Sequence, residues 1–252
     1  MNIEYANENI IDNVYKTKGF AREKYEVKAK EYIKIKRVID CILSIMALII
    51  LSPIYLIIAL AVKKENKKPI KETEGVTVIP TMYDEITKDT AWSPTFQLVW
   101  NDGKTIKIYK YRTMVTNAEE LIKQFTPEQM KEYKENFKLE NDPRITKVGK
   151  FLRKTSLDEL PQLLNIVKGE LALIGPRPVV KDELEKYGEN AEKFLSVTPG
   201  LTGNWTVSGR SNTTYEERME MELWYVDNIS FKTDIQIFFK TIVAVIKKEG
   251  AK

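Results

Sequence analysis

Asp158 and Glu159 stand side by side in the run Arg153-Lys154-Thr155-Ser156-Leu157-Asp158-Glu159-Leu160-Pro161, and Gly175-Pro176-Arg177-Pro178 follows shortly after. Adjacent carboxylates between basic residues are the composition of a site for phosphate and metal. Mg²⁺ takes one or two carboxylates together with substrate phosphate, and Arg matches phosphate oxygens bidentately. The plainer reading comes from the capping box S-x-x-E, which Ser156 to Glu159 fits. That register puts Pro161 at the fifth helical position, where it removes an intrahelical hydrogen bond. A helix starting at Asp158 or Glu159 instead places Pro161 in the first turn, where its missing N–H costs nothing. Taken alone, the pair reads first as a helix start.

Composition narrows the chemistry. The 252 residues include no histidine, which excludes Ser-His-Asp, Cys-His and His-ligated zinc chemistry. Acid–base work therefore falls to carboxylates, Lys or Tyr. The one cysteine, Cys41, lies in an apolar run, so there is no internal disulfide and no thiol metal site, in keeping with a cytosolic face. A net charge of +4, with Lys and Arg clustered beside apolar segments, suits an anionic membrane surface. No zinc finger, RRM signature or basic-aromatic stripe supports a nucleic-acid partner.

The elements that must position these residues begin with a membrane segment. Residues 38–62 read VIDCILSIMALIILSPIYLIIALAV, about 25 residues and roughly 37 Å as a helix, long enough to span. Ser52-Pro53 near its middle frees the Ile49 carbonyl, which lipid cannot satisfy, and leaves two arms of about 14 residues, each too short to cross alone. Lys28, Lys30, Lys34, Lys36 and Arg37 precede the run, and Lys63, Lys64, Lys67, Lys68 and Lys71 follow it. Both flanks carry the cytoplasmic signal. A re-entrant helix hairpin, bent at Ser52 and Pro53, keeps both inside.

Along the rest of the chain, residues 1–34 read as a helical or partly disordered extension and 66–93 as a loop with one short strand at most. A turn at Asn101-Asp102-Gly103 leads into a strand over 105–111. Helices are expected at 117–125 and 127–138. Residues 145–154 place Ile145, Val148, Phe151 and Leu152 on one face, as in a core-facing or interfacial helix. Further helices are expected at 181–195, 214–227 and 235–246, with a turn-rich segment over 198–203. The expected fold is α+β and mainly helical: a re-entrant membrane hairpin, interfacial amphipathic helices and a small sheet. The expected division is an extension over 1–34, the membrane hairpin with its flanks over 35–68, and a cytoplasmic domain over 69–252.

Five stretches carry a resemblance: Tyr109-Lys110-Tyr111-Arg112-Thr113-Met114; Asn141-Asp142-Pro143-Arg144-Ile145-Thr146 through Leu157 to Leu163; Gly175-Pro176-Arg177-Pro178; Thr198-Pro199-Gly200-Leu201-Thr202-Gly203; and Val207-Ser208-Gly209-Arg210. In order and spacing, from about Lys36 to the C-terminus, they closely resemble the bacterial sugar transferases, also called monotopic phosphoglycosyl transferases. The resemblance implies transfer of a sugar 1-phosphate from a UDP-sugar to undecaprenyl or another polyprenyl phosphate with release of UMP, the first membrane step of bacterial glycan assembly. It also implies a re-entrant anchor at the cytoplasmic face of the bacterial inner membrane. Asp158 would be the nucleophile, forming a covalent phosphosugar with Mg²⁺ held near it. Glu159 would activate the acceptor or assist the leaving group. Lys110, Arg112, Arg153, Arg177 and Arg210 occupy the family's basic positions and are the candidates for phosphate or nucleotide contacts.

The chain departs from the pattern at Ser93-Pro94-Thr95-Phe96-Gln97-Leu98-Val99-Trp100-Asn101-Asp102-Gly103, which follows a long insertion and lacks the basic residue expected after Gln97. Thr206 stands where a Gln is common. These departures bear on the nucleotide-sugar contacts. They also motivate a competing reading, a catalytically silent membrane-bound scaffold of a glycan pathway. A homo-oligomer is compatible with this reading.

Overall fold

The computed structural model describes residues 25–66, 92–100, 104–136, 139, 141–179, 181–209 and 213–247. Expectations for 1–24, 67–91 and the turn at 101–103, and the candidate Arg210, lie outside the described residues. In chain order the elements are α1 (Lys30–Ile50), α2 (Ser52–Asn66), β1 (Trp92–Trp100), β2 (Lys104–Tyr111), α3 (Ala118–Ile122), α4 (Pro127–Asn136) and α5 (Lys147–Thr155). A 3₁₀ turn over Leu157–Glu159 leads to α6 (Gln162–Lys168) and β3 (Ala172–Ile174). After these come α7 (Lys181–Leu184), α8 (Ala191–Leu195), β4 (Gly200–Thr202), α9 (Asn204–Ser208), α10 (Tyr215–Asp227) and α11 (Phe231–Lys247). The fold is mainly helical, with β1 pairing β2 and β3 pairing β4.

The apolar run forms two helices broken at Leu51, and the pair is bent by 64°. Pro53 is the second residue of α2, where its missing N–H falls among donors that no helix pairs. The first arm is longer than the expected 14 residues. It has 21, because the helix continues back through the basic flank to Lys30. Among the described residues no single helix is long and apolar enough to cross a membrane, although the bent pair together has the length and composition.

Two compact units divide the chain. One comprises the described parts of 1–50, 94–109 and 162–250. In it α1 is amphipathic in reverse: Lys36, Asp40 and Ser44, four residues apart on one face, are buried, while Ile49 and Ile50 are each 69% exposed. The polar stripe has partners. Lys36 Nζ lies 3.2 Å from Asp40 and 2.7 Å from Asp234 on α11. Tyr32 and Tyr225 each donate a hydroxyl to Asp234 at 2.7 Å, and Asp40 accepts the Leu173 N–H. Arg37 donates to the Ile166 and Val167 carbonyls at the end of α6, a cation at a helix C-terminus. Lys36 and Arg37 are thus engaged inside the protein. On this flank, the exposed lysines are Lys28, Lys30 and Lys34.

β3 and β4 pair in parallel, Ala172 opposite Gly200 and Ile174 opposite Thr202. Residues 198–203 were expected as a turn, yet 200–202 are strand. Glycine there serves close approach: a Cβ on Gly200 would lie 2.1 Å from the Gly175 nitrogen. The single helix expected over 181–195 is interrupted by a 3₁₀ segment, Glu185–Asn190, in which Gly188 adopts φ 52°. The exposed apolar residues of α11 include Phe231, Phe238, Phe239 and Ile246.

The other unit holds α2 and residues 110–161. Ile58 and Val62 of α2 form a core with Tyr111 and Leu152. Thr146 caps α5 by accepting the Gly149 N–H at 2.9 Å, and the Glu65 carboxylate accepts the Val148 N–H. Leu152 is buried but Phe151, expected on the same face, is 59% exposed, since adjacent helical residues point about 100° apart. Gly149 packs directly on residue 113: a Cβ there would lie 2.0 Å from the Thr113 carbonyl oxygen.

Two consequences can be measured in detergent-solubilised protein. Lys36→Met leaves two buried carboxylates uncompensated and should cost about 3–5 kcal/mol of stability, read as a lowered melting temperature, whereas Lys34→Met should be neutral within about 0.5 kcal/mol. Gly149→Ala forces backbone movement and should cost at least about 1–3 kcal/mol by the same measurement.

Candidate active site

The expected helix start at Asp158 or Glu159 is not what forms. Ser156 closes α5 in the left-handed region, φ 55° and ψ 17°, and its N–H returns to the Arg153 carbonyl. Its side chain makes no capping bond. Leu157–Glu159 form one 3₁₀ turn, and the α-helix resumes only at Gln162, directly after Pro161. Ending one helix with an αL residue and delaying the next past the proline turns the carboxylates away from ordinary capping work. Left-handed backbone at a non-glycine residue stores strain of order 1 kcal/mol, a feature that recurs at functional sites.

The side chains of the pair differ. That of Asp158 is 3% exposed and that of Glu159 33% exposed. Lys110, the penultimate residue of β2, reaches both: its Nζ lies 2.9 Å from Asp158 Oδ2 and 3.1 Å from Glu159 Oε1. Burial pushes the Asp158 carboxyl above its ordinary value, with Glu159 adding to the rise and Lys110 and Arg153 opposing it. Burial acts on Lys110 in the lowering sense, but the two carboxylates outweigh it and hold the ammonium above its ordinary value.

Neighbouring residues brace this arrangement. Arg153 donates from Nε to Thr113 Oγ1 at 2.9 Å. Tyr111, between Lys110 and Arg112, turns into the core and donates its hydroxyl to the Tyr55 carbonyl at 3.0 Å. Tyr55 on α2 in turn donates its own hydroxyl to the Leu160 carbonyl, next to Glu159. One tyrosine of the apolar run therefore holds both the Lys110 strand and the carboxylate turn. Asp142 and Arg144, from the Asn-Asp-Pro-Arg stretch, form a buried bidentate pair at 2.6–2.8 Å, with Arg144 over the rings of Phe125 and Tyr133. They satisfy each other.

The donor set fits a divalent cation only in part. Among the described residues no group of three or more carboxylates and thiols converges as a self-sufficient cage. Asp158 Oδ2 is buried and makes its ion pair with Lys110 but no aligned hydrogen bond, so it keeps lone-pair capacity. Such an acceptor beside a half-exposed carboxylate suits Mg²⁺, which usually completes its shell with water and substrate phosphate.

Arg177 belongs to the other unit. It is exposed, on the loop that follows β3. Its backbone is fixed: Gly175 donates to the Thr202 carbonyl at 2.9 Å, the Pro176 carbonyl accepts from Gly200 at 2.8 Å, and the Arg177 N–H donates to Glu222 Oε1 at 3.1 Å. The Arg177 guanidinium carbon lies 5.5 Å from the Trp205 ring centre, and that of Arg218 lies 4.8 Å from the same ring. The sequence reading missed Glu222, Arg218 and Trp205. The four-residue spacing of Arg218 and Glu222 on one helix was the available signal, but it is the spacing of an ordinary surface pair.

Residues 96–248 match the sequence model of a family described as bacterial sugar transferase. An undecaprenyl-phosphate galactose phosphotransferase of Salmonella typhimurium is 41% identical over 220 residues, covering 86% of this chain and 41% of that protein. The UDP-glucose:undecaprenyl-phosphate glucose-1-phosphate transferase of Escherichia coli is 34% identical over 217 residues, 82% of this chain and 39% of that one. The exopolysaccharide production protein ExoY of Sinorhizobium fredii is 40% identical over 219 residues, 86% of this chain and 87% of its own length. The chain thus spans about two fifths of the first two relatives and most of the third. On the profile match and this near full-length similarity, the chain belongs to the bacterial sugar transferase family.

Proposed function

We propose that the chain is a phosphoglycosyl transferase that moves a sugar 1-phosphate from a UDP-sugar to a polyprenyl phosphate, with Asp158 as covalent nucleophile. The observation that carries this reading is the buried Asp158 bridged to Glu159 by Lys110, in a chain whose relatives are named for undecaprenyl-phosphate sugar transfer. An Asp158 carboxylate oxygen attacks the β-phosphorus of the UDP-sugar, the bond from that phosphorus to the bridging oxygen breaks, and UMP leaves with the electron pair. A phosphate oxygen of the polyprenyl acceptor then attacks the same phosphorus and frees the carboxylate. Covalent catalysis splits one displacement into two. Burial raises the basicity of Asp158, while Lys110 and Arg153 keep its ionised form accessible and offset its repulsion by an anionic diphosphate. Mg²⁺ held by Asp158 would supply further charge neutralisation at the phosphates. Glu159, partly exposed, takes up the acceptor's proton. Arg112 and Arg177 are each a candidate for phosphate or nucleotide contact, as is Arg210 by its motif position alone.

The same reading seats the chain on the cytoplasmic face of the inner membrane. A broken helix pair with outward apolar side chains and lysines on both flanks suits a re-entrant hairpin, and the exposed apolar side of α11 suits the interface. Polysaccharide assembly is the process that the ExoY relative's name indicates.

Extracted protein, incubated with Mg²⁺, undecaprenyl phosphate and a panel of UDP-sugars, should release UMP with one donor. Asp158→Asn should lower the rate at least roughly 100-fold, and EDTA should stop it. Lys110→Met should lower kcat/KM roughly 10- to 100-fold and move the acidic limb of the pH profile upward, because Asp158 loses the cation that favours its ionised form. A folded protein silent with every donor would favour the scaffold reading instead. For topology, single cysteines at Lys34 and Lys64 in a Cys41→Ser background should both resist an impermeant thiol reagent in intact cells. Labelling of either from outside would mean a true crossing.

A further inference from the structure

Under the Arg177 loop lies a set of polar groups that the proposed reaction does not use. Glu222 on α10 has no solvent exposure. Its Oε1 accepts the Arg177 N–H, and among the described residues its Oε2 has no hydrogen-bond partner. Arg218, one turn earlier and 8% exposed, pairs through Nη1 with Glu183 at 3.2 Å, and among the described residues its Nε and Nη2 have no hydrogen-bond partner. The buried Tyr187 hydroxyl likewise has no hydrogen-bond partner among the described residues. Gly203 sits over this carboxylate: a Cβ there would lie 3.8 Å from Glu222 Oε2 and 2.2 Å from the Gly175 carbonyl oxygen.

A fully buried carboxylate is costly to keep, and a core helix facing Leu184, Tyr187 and Phe194 would be more stable with an apolar residue at this position. Its placement is therefore better explained by what it holds. The Arg177 N–H lies between two prolines and so has no neighbouring amide with which to share an acceptor. Glu222 is that acceptor, and its charge also faces Arg218, which shares the Trp205 ring with Arg177.

We propose that Glu222 is a positioning residue: by accepting the Arg177 amide it fixes the loop so that the Arg177 guanidinium is presented beside Trp205 to the nucleotide diphosphate. This rests on the transferase reading only through the assignment of Arg177 to the nucleotide. It is tested on binding, separately from turnover.

UDP affinity in the presence of Mg²⁺ is measured by calorimetry on the full chain, for wild type, Arg177→Ala, Glu222→Ala, Glu222→Gln and the Arg177→Ala/Glu222→Ala double variant, alongside UMP release. Arg177→Ala and Glu222→Ala should each weaken UDP binding about 10-fold, and the double variant should bind no worse than Arg177→Ala, because the second change removes support for a side chain already gone. Glu222→Gln keeps the acceptor oxygen and should stay within about threefold of wild type, which a purely structural role of the charge would not allow. Should Glu222→Ala lack a cooperative melting transition, Glu222→Asp, whose shorter side chain withdraws from the amide, takes its place with the same expectation. Wild-type affinity in the folded Glu222 variant, losses that add in full, or no UDP binding by the wild-type chain would overturn the proposal. UDP binding that follows this pattern without UMP release from any donor would support the positioning role and count against the transferase reading alone.

Discussion

A carboxylate removed from water must be neutralised, protonated or paired, and the candidate site is arranged around that constraint. Lys110 lies between Asp158 and Glu159, 2.9 Å from the first and 3.1 Å from the second. Its partners are unequal: Asp158 is closed in, while Glu159 keeps contact with solvent. The same cation thus faces two carboxylates in different surroundings, and burial raises the pKa of Asp158. Much of what surrounds them keeps three segments in register. Tyr111 anchors the end of β2, Ser156 ends α5 in αL so that the turn can follow, and Tyr55 ties both segments to α2.

The site depends on α2, the second arm of the apolar run. Ile58 and Val62 contribute to the core behind the carboxylate turn, and Glu65 caps the helix that leads into it. α2 and the carboxylate turn are packed as one unit there, so a displacement of α2 is transmitted to the carboxylates. On α1 the logic is reversed amphipathicity: a charged stripe turned inward onto Asp234 and the Leu173 amide, with branched apolar side chains outward. A helix in water would do the opposite.

The Arg177 loop depends on backbone proximity. Gly175 and Gly200 bring two three-residue strands close enough that neither tolerates a Cβ, and the loop leaves β3 with the Gly175 N–H, the Pro176 carbonyl and the Arg177 N–H committed, to Thr202, Gly200 and Glu222. Short strands gain little from side-chain packing, so their pairing relies on such glycine contacts.

Legible in the string were the helices around 117–136 and 145–155, the strand ending at Tyr111, a break of the apolar run within two residues of Pro53 and the motif residues, because helix caps, prolines and apolar periods act within a few residues of where they are read. The sequence also marked Asp158 and Glu159 as a pair. It misjudged the helix start at that pair, since whether Ser156 caps a helix or ends one depends on where the preceding helix is anchored by Thr146 and Glu65. It read Gly200 as a turn, because a glycine needed for φ and one needed for close approach look alike in a string. Only folding brings Lys110 to both carboxylates, turns Lys36 and Asp40 inward and seals Glu222 beneath Arg177. These are pairings between residues tens to hundreds of positions apart, and burial, which gives each its energetic weight, is a property no local window of sequence contains.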